Sequence, residues 1–306
     1  MNVILETFVV LFQVAYLWLR AIVVAFIPAS YRSKDVAGET VLVTGAGSGL
    51  GRLLCIRFAR RGCRLILWDI NAQGMAETAE VLRKLGSVPV SYTVDLSRKD
   101  QIYDTAEQVK RDVGEVDILV NNAGIVTGKK FLECKDELIQ KTMDVNIMAH
   151  FWTVKCFVPG MLERNHGHIV NIASAAGLCG VNSLADYSAS KFAAVGFDES
   201  LRMEFSSMGK TGVHTTVVCP FYINTGMFEG VRTRFPLLLP ILDPDYVADS
   251  IISGVLTNSH VVMLPPAVAL ASALKGILPV KCAMLLNDFL GINHTMENFK
   301  GRQKRD

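Results

Sequence analysis

The chain has 306 residues, half of them apolar and 20% charged, with a mean hydropathy of +0.32. That composition excludes a disordered or low-complexity protein, and 31 basic residues against 29 acidic ones leave no global basic field for nucleic acid. The seven cysteines (55, 63, 134, 156, 179, 219 and 282) are odd in number and never form C-x-x-C, which argues against a disulfide framework or a zinc site and points to a reducing compartment.

Residues 3–29 are almost continuously apolar, interrupted by Glu6, Thr7, Gln13 and Arg20. A bilayer core needs about 20 apolar residues in helical form, so residues 1–30 are expected to be a retained membrane anchor. No basic residue precedes Arg20, against a cleaved signal peptide, and a soluble core helix rarely stays apolar on every face for this length. The anchor either spans the bilayer or lies in one leaflet with Arg20 reaching the headgroups. Arg32 and Lys34 then place the rest of the chain on the cytosolic side, where the Asn293-His294-Thr295 sequon would stay idle.

From 35 to 265 short β-rich runs alternate with amphipathic segments. Strands are expected at 40–44, 64–68, 88–94, 117–121, 168–172, 213–218 and 260–264, with helical patterns such as Leu50–Arg60, Met75–Leu85, Gln101–Val113 and Asp136–Leu162 between them. Continuous Val/Ile/Leu strands joined by helices predict a Rossmann-type, doubly wound parallel sheet in a single α/β domain. Residues 266–306 form an interrupted apolar extension, too broken by Pro265, Pro266 and Pro279 to span. Its amphipathic pieces either rest on a membrane surface beside the substrate entrance or cover the domain core. The end of the chain, residues 300–306, reads as solvated.

The first strand runs into Thr44-Gly45-Ala46-Gly47-Ser48-Gly49-Leu50-Gly51 and then opens a helix. Glycines there let the backbone turn tightly, and a pyrophosphate can approach N–H groups at a helix N-terminus, so Gly45, Ser48, Gly49, Leu50 and Gly51 are candidate cofactor contacts. Asp69 ends the second strand. A carboxylate at that place accepts from both ribose hydroxyls and repels a 2′-phosphate, and no Arg or Lys stands at 70, so NAD is expected over NADP. The competing role for Asp69 is an N-cap for the following helix.

Farther along stand Asn121-Asn122-Ala123-Gly124, Asn146 in a helical pattern, Ser174 just past the fifth strand, and Tyr187-Ser-Ala-Ser-Lys191. Tyr187 and Lys191, four apart, share one helix face, where an ammonium would favour the phenolate of a group whose pKa is ordinarily near 10. Ser174 could then hold a substrate oxygen, and Asn146 a water leading from Lys191 to solvent. Taken singly, each has an ordinary explanation: surface pair, cap, tolerated helical Asn. Together, in this order over about 230 residues, they resemble the short-chain dehydrogenase/reductase family, with its T-G-x-x-x-G-x-G, N-N-A-G, helical Asn, Ser and Y-x-x-x-K.

The resemblance implies that Asn146, Ser174, Tyr187 and Lys191 are catalytic and that Ser174 also contacts substrate. It implies that Asp95 contacts adenine, Asn122 lines the nucleotide site, Tyr187 and Lys191 face the nicotinamide ribose, and Thr225 meets the carboxamide. It also implies a homodimer through the helices carrying Asn146 and Tyr187. One departure stands at Cys219-Pro220-Phe221, where the family has Pro-Gly, placing a ring where backbone usually runs beside the nicotinamide. The longer runs, with the apolar N-terminus, resemble the membrane-associated branch that holds retinol and 17β-hydroxysteroid dehydrogenases. That implies oxidation of a hydrophobic alcohol, all-trans-retinol or a steroid such as estradiol, at the endoplasmic reticulum membrane or a lipid droplet. A noncatalytic NAD-binding scaffold is the alternative from another class. A metal at His166-Gly-His168 finds no carboxylate or cysteine at ligand spacing.

Overall fold

The structure, a computed structural model, describes residues 3–301, so most of the tail expected to be solvated lies outside the described residues. The chain falls into two units that divide between Asp35 and Val36. The first holds α1 (Val3–Ala25), 23 residues with a mean hydropathy of 2.1 over its most apolar window. No glycine or proline interrupts it, and at 1.5 Å per residue it is about 35 Å long, enough for a hydrocarbon core of about 30 Å.

The second unit alternates strand and helix as the sequence predicts. In chain order it runs β1 (Thr40–Thr44), α2 (Gly49–Ala59), β2 (Arg64–Asp69), α3 (Ala72–Lys84), β3 (Val90–Thr93), α4 (Lys99–Asp112) and β4 (Ile118–Asn121). It continues through α5 (Asp136–Met143), α6 (Ala149–Arg164), β5 (Gly167–Ile172), α7 (Ala185–Ser207), β6 (Val213–Pro220), α8 (Pro244–Leu256) and β7 (Val261–Leu264). All seven expected strands form, within two residues at either end. They make one sheet in the order β3-β2-β1-β4-β5-β6-β7, every neighbouring pair parallel.

Helices cover both faces because the inner strands are apolar on both sides. Leu54 and Phe58 of α2, Met75 and Leu82 of α3, and Ile251 and Val255 of α8 bury one face. Ile102 and Val109 of α4, Phe157 and Met161 of α6, and Leu201 and Phe205 of α7 bury the other. Only β3, at the edge, is largely exposed.

The single long helix expected at 136–162 is instead two helices joined by one widened turn, Asp144–Met148, with Asn146 buried inside it. Such a turn leaves backbone groups out of the regular ladder and recurs at functional sites. After β7, α9 (Pro266–Lys275), α10 (Val280–Phe289) and a strap over Ile292–Gly301 belong to the same unit as the sheet.

A buried polar network ties the second layer of helices to the strands. Thr153 Oγ1 donates to Asn121 Oδ1 (2.7 Å), Asn121 Nδ2 to Asn171 Oδ1 (3.0 Å), and Asn171 Nδ2 to Asp198 Oδ1 (3.0 Å). Arg202 (3.0 Å) and Thr215 (3.1 Å) donate to the other Asp198 oxygen. Burial pushes the Asp198 carboxyl above its ordinary range, while Asn171, Arg202 and Thr215 pull against it. Asp198→Ala orphans two buried donors and the half-buried Arg202 at once and is expected to lower unfolding free energy by about 3 kcal/mol, measured by urea titration.

Candidate active site

The strand order reverses between β1 and β4, and the crevice there opens at the C-terminal ends of the strands. Asn122 closes its floor: its Nδ2 donates to the Thr44 carbonyl at 2.8 Å, and its N–H to Thr44 Oγ1 at 2.9 Å. Gly45 takes φ +67° and Gly49 φ +52°, values that favour glycine. A Cβ on Gly51 would overlap the Gly45 carbonyl, so α2 can begin this close to β1 only with glycine there. The N–H groups of the first turn of α2 have no partner within the helix, and Ser48, Gly49, Leu50 and Gly51 line the cavity at that end.

Asp69 stands at the end of β2 with both oxygens oriented by backbone. Oδ2 accepts from Gly47 N and Oδ1 from Asn71 N, each at 2.8 Å. The N-cap of α3 is Asn71, whose side chain accepts from Gly74 N, so the alternative role weighed for Asp69 falls to its neighbour. Arg52 supports the turn from behind, donating to the carbonyls of Gly47 and Gly74 and to Thr78 and Glu77. Asp95 also lines the cavity, its carboxylate accepting from the N–H and hydroxyl of Ser97. Burial works against that charge, but Ser97, Lys141 and Arg98 hold the pKa below the ordinary carboxylate value.

The candidate reactive residues line the same cavity. Tyr187 and Lys191 of α7 are 5% and 3% exposed, and Lys191 Nζ is 5.7 Å from the Tyr187 ring centroid. Lys191 donates to the Ile172 carbonyl at 2.7 Å, and burial pulls its pKa down to about 8. Burial also pushes the Tyr187 phenol well above its ordinary value, with a hydrogen bond to Ser174 opposing. Burial, rather than the Lys191 ammonium expected from the sequence, sets the direction of the Tyr187 shift. Ser174 Oγ both accepts from Ala176 N (3.1 Å), capping the short helix Ala175–Gly177, and lines the cavity. Cap and candidate catalytic hydroxyl are one residue.

Asn146 does not line the cavity. It lies behind the wall, its Oδ1 accepting from Ile125 N (2.8 Å) and its Nδ2 donating to Ile125 O and Ser190 Oγ. Gly124 leaves the space between it and Lys191 open: a Cβ there would stand 3.4 Å from Asn146 Oδ1 and 3.6 Å from Lys191 Nζ. Thr225 lines the far wall with Phe221, whose ring stacks edge-on against Tyr222 at 4.7 Å. Of the candidate catalytic and cofactor residues expected from sequence, all but Asn146 border one cavity of about 790 Å³. His166 and His168 lie elsewhere, facing Glu39 and Thr216 respectively.

This arrangement agrees with the comparisons. The family of short chain dehydrogenases matches residues 39–234. The chain belongs to that family. This short-chain dehydrogenase is 50% identical over 301 residues to epidermal retinol dehydrogenase 2 of Homo sapiens, covering 98% of this chain and 97% of the relative. It is 42% identical to retinol dehydrogenase 10 of Homo sapiens, covering 100% of this chain and 97% of the relative. Among solved structures it resembles a short-chain dehydrogenase/reductase of Burkholderia phymatum in complex with NAD. There the TM-score is 0.72 at 28% identity, over 80% of this chain and 95% of that one. A short-chain dehydrogenase of Sphingobium yanoikuyae in complex with NADPH gives a TM-score of 0.68 at 27% identity, over 78% and 94%.

Sequence reasoning on this dehydrogenase missed Arg52 and His150. Arg52 follows the glycine turn directly, and that position was its only signal. His150 lies one turn beyond Asn146, is 2% exposed, and has no hydrogen-bond partner on either ring nitrogen. Burial, then the charge of Lys191, pushes its pKa down to about 3. The folded chain therefore keeps His150 neutral while the unfolded chain protonates it below about 6.5, and stability falls as pH falls through that window. His150→Leu is expected to lose about 2 kcal/mol less than the native chain between pH 7 and pH 5, read from urea unfolding at both pH values.

Proposed function

We propose that the chain is an NAD-dependent dehydrogenase of long apolar alcohols, and specifically that it oxidises all-trans-retinol to all-trans-retinal. One observation carries the reading. A single cavity joins a polar end at Asp69 and Asp95, past Tyr187 and Ser174, to an apolar end walled by Leu238, Leu239, Val268, Leu274, Leu278 and Leu286. The names of the relatives, retinol dehydrogenases aligned over nearly the whole chain, point to the same substrate.

The residues present fit NAD. The open N–H groups at the start of α2 suit a pyrophosphate, and the oriented carboxylate of Asp69 suits two ribose hydroxyls while repelling a 2′-phosphate. Ile70 offers that phosphate no charge, and Arg52 is turned into the backbone of the glycine turn. Asp95, Asn122, Lys191 and Thr225 border the remaining length. The chemistry that NAD supplies when bound is acceptance of a hydride from the carbinol carbon.

The chain's own residues handle the proton. Tyr187, as phenolate, takes the hydroxyl proton while Ser174 donates a hydrogen bond to the developing alkoxide. Because burial raises the Tyr187 pKa, the phenolate depends on nearby positive charge, and Lys191, with its pKa near 8, is still largely protonated at neutral pH. A water in the space left by Gly124 would lead the proton from Lys191 toward Asn146.

The site of action follows from where such a substrate dissolves. Leu270, Ile277, Val280, Met284, Leu285 and Phe289 of the α9–α10 region are exposed apolar residues, and neighbours on the same helices line the cavity. With α1 as anchor, this surface rests on the cytosolic face of the endoplasmic reticulum membrane, and the alcohol enters from the lipid. Of the two lysines spaced along it, Lys275 donates to the Leu178 carbonyl at 2.7 Å and lies 4.7 Å over the Phe192 ring. The assembly we favour is a homodimer, which the family resemblance supports.

The test is NADH formation by the full chain in microsomes offered all-trans-retinol and estradiol separately. Retinol is expected to turn over faster, and Tyr187→Phe to lower the rate about a thousandfold with NAD binding kept. Faster turnover of estradiol would move the chain to the steroid reading and to lipid droplets. No turnover of either, with NAD still bound, would favour a scaffold. Asp69→Ala is expected to reduce the preference for NAD over NADP at least about tenfold, measured as the ratio of kcat/KM values.

A further inference from the structure

The strap over Ile292–Gly301 carries a contact that neither the sequence patterns nor the family match explains. Phe299 lies flat against Gly128, where φ is +66° and a Cβ would overlap the Phe299 ring carbons Cε1 and Cδ1. The ring also meets Phe228 at a tilt, centroids 6.3 Å apart. Phe228 in turn stands edge-on to Tyr187 at 5.8 Å and to Tyr222 at 5.0 Å, and it lines the cavity. A line of three aromatic rings therefore runs from the strap to the candidate catalytic phenol.

On both sides of Phe299 the strap is held to the loop that follows Phe228. Lys300 N donates to the Glu229 carbonyl at 2.9 Å, and Arg232 N to the Thr295 carbonyl at 3.4 Å. A Cβ on Gly230, with φ +91°, would overlap the Asn298 carbonyl, so the two backbones meet directly. Tyr222 Oη and Thr295 Oγ1 share a hydrogen bond of 2.9 Å, and Asn182 Nδ2 donates to the Asn293 carbonyl at 2.9 Å. Thr295 and Met296 are buried in consequence. Phe228 thus packs among Phe299, Tyr187 and Tyr222, and Phe299 itself has little room toward Gly128, where ring already meets backbone.

From this we infer that Phe299 is a positioning residue for substrate selection. By backing Phe228, it fixes the wall beside Tyr187 and so sets which apolar alcohols present their hydroxyl to the phenol. The inference rests on the reading that Tyr187 oxidises an apolar alcohol. A rigid aromatic wall discriminates where flexible aliphatic walls do not, because closing a gap around one methylene is worth about tenfold in selectivity or more.

The experiment uses the full chain in detergent micelles, native and with Phe299→Ala, Phe299→Leu and Gly128→Ala. Two quantities are read: kcat/KM for all-trans-retinol relative to a short allylic alcohol such as 3-methyl-2-buten-1-ol, and the Kd for retinol from its own fluorescence. Phe299→Ala is expected to lower the selectivity ratio about tenfold and raise the retinol Kd by a similar factor, with the Kd for NAD kept as evidence of folding. Phe299→Leu should recover part of both, and Gly128→Ala, which pushes the intact ring, should disturb both. An unchanged ratio and Kd in a folded Phe299→Ala chain overturn the inference, as does equal loss for both alcohols and NAD. Turnover of neither alcohol by the native chain would overturn the functional reading instead, while the retinol Kd would still decide the role of Phe299.

Discussion

The hydrogen bond from the Asn122 side chain to the Thr44 carbonyl crosses the one place where this sheet has to open. At β1 and β4 the connections leave toward opposite faces, so the loops after these strands diverge and a crevice forms between them. Nothing in the ladder bridges them past the strand ends. Thr44 does so with its hydroxyl, which accepts from the N–H groups of Asn122 and Ala123 and donates to the Val120 carbonyl. Asn146 holds the other end of the same loop through both backbone groups of Ile125. The glycine turn, Asp69 and the space beside Lys191 are all positioned relative to that clasped loop.

The pair Tyr187 and Lys191 shows how burial and chemistry pull against each other. Removing Tyr187 and Lys191 from water moves both toward their neutral forms, the phenol up and the ammonium down. In water the same two groups would interact weakly; in a poorly polarisable interior each nearby charge counts for several times more. At rest the phenol therefore keeps its proton, and added positive charge is what would populate the phenolate. His150, neutral and unpartnered one turn from Asn146, fits this pattern, since a second cation there would oppose protonation of Lys191.

Much of this was legible in the sequence because parallel sheets write themselves as uninterrupted apolar runs, and the turn after β1 needs glycine at fixed places. The widened turn around Asn146 was not legible, because one extra residue in a turn leaves the apolar spacing of the long helix nearly intact. Ser174 looked like either a cap or a catalytic hydroxyl and is placed to be both, a distinction that only geometry removes. The cap of α3 fell to Asn71 because a side chain two residues later reaches Gly74, a local competition that spacing does not rank. The strap has no periodicity at all: Thr295 and Phe299 find partners at Tyr222 and Gly128, far away in the chain, and only the fold brings them together.

The cavity also divides along the chain. Its polar end and the candidate reactive residues come from the stretch that matches the family, residues 39–234. Its apolar end comes largely from beyond it: Leu238 and Leu239, Val268 and Leu274 of α9, Leu286 of α10, and Ile292 at the start of the strap. The reacting groups sit on elements buried against the sheet, which tolerate little change without unfolding. The apolar wall sits on short helices and a strap at the edge of the fold, where a side chain can change without disturbing the sheet. Aliphatic walls of that kind distinguish similar alcohols weakly. On the proposed reading, selection then comes from the few points where the outer wall is rigid, and the aromatic rings from Phe299 through Phe228 to Tyr187 connect the edge of the fold to the candidate catalytic phenol.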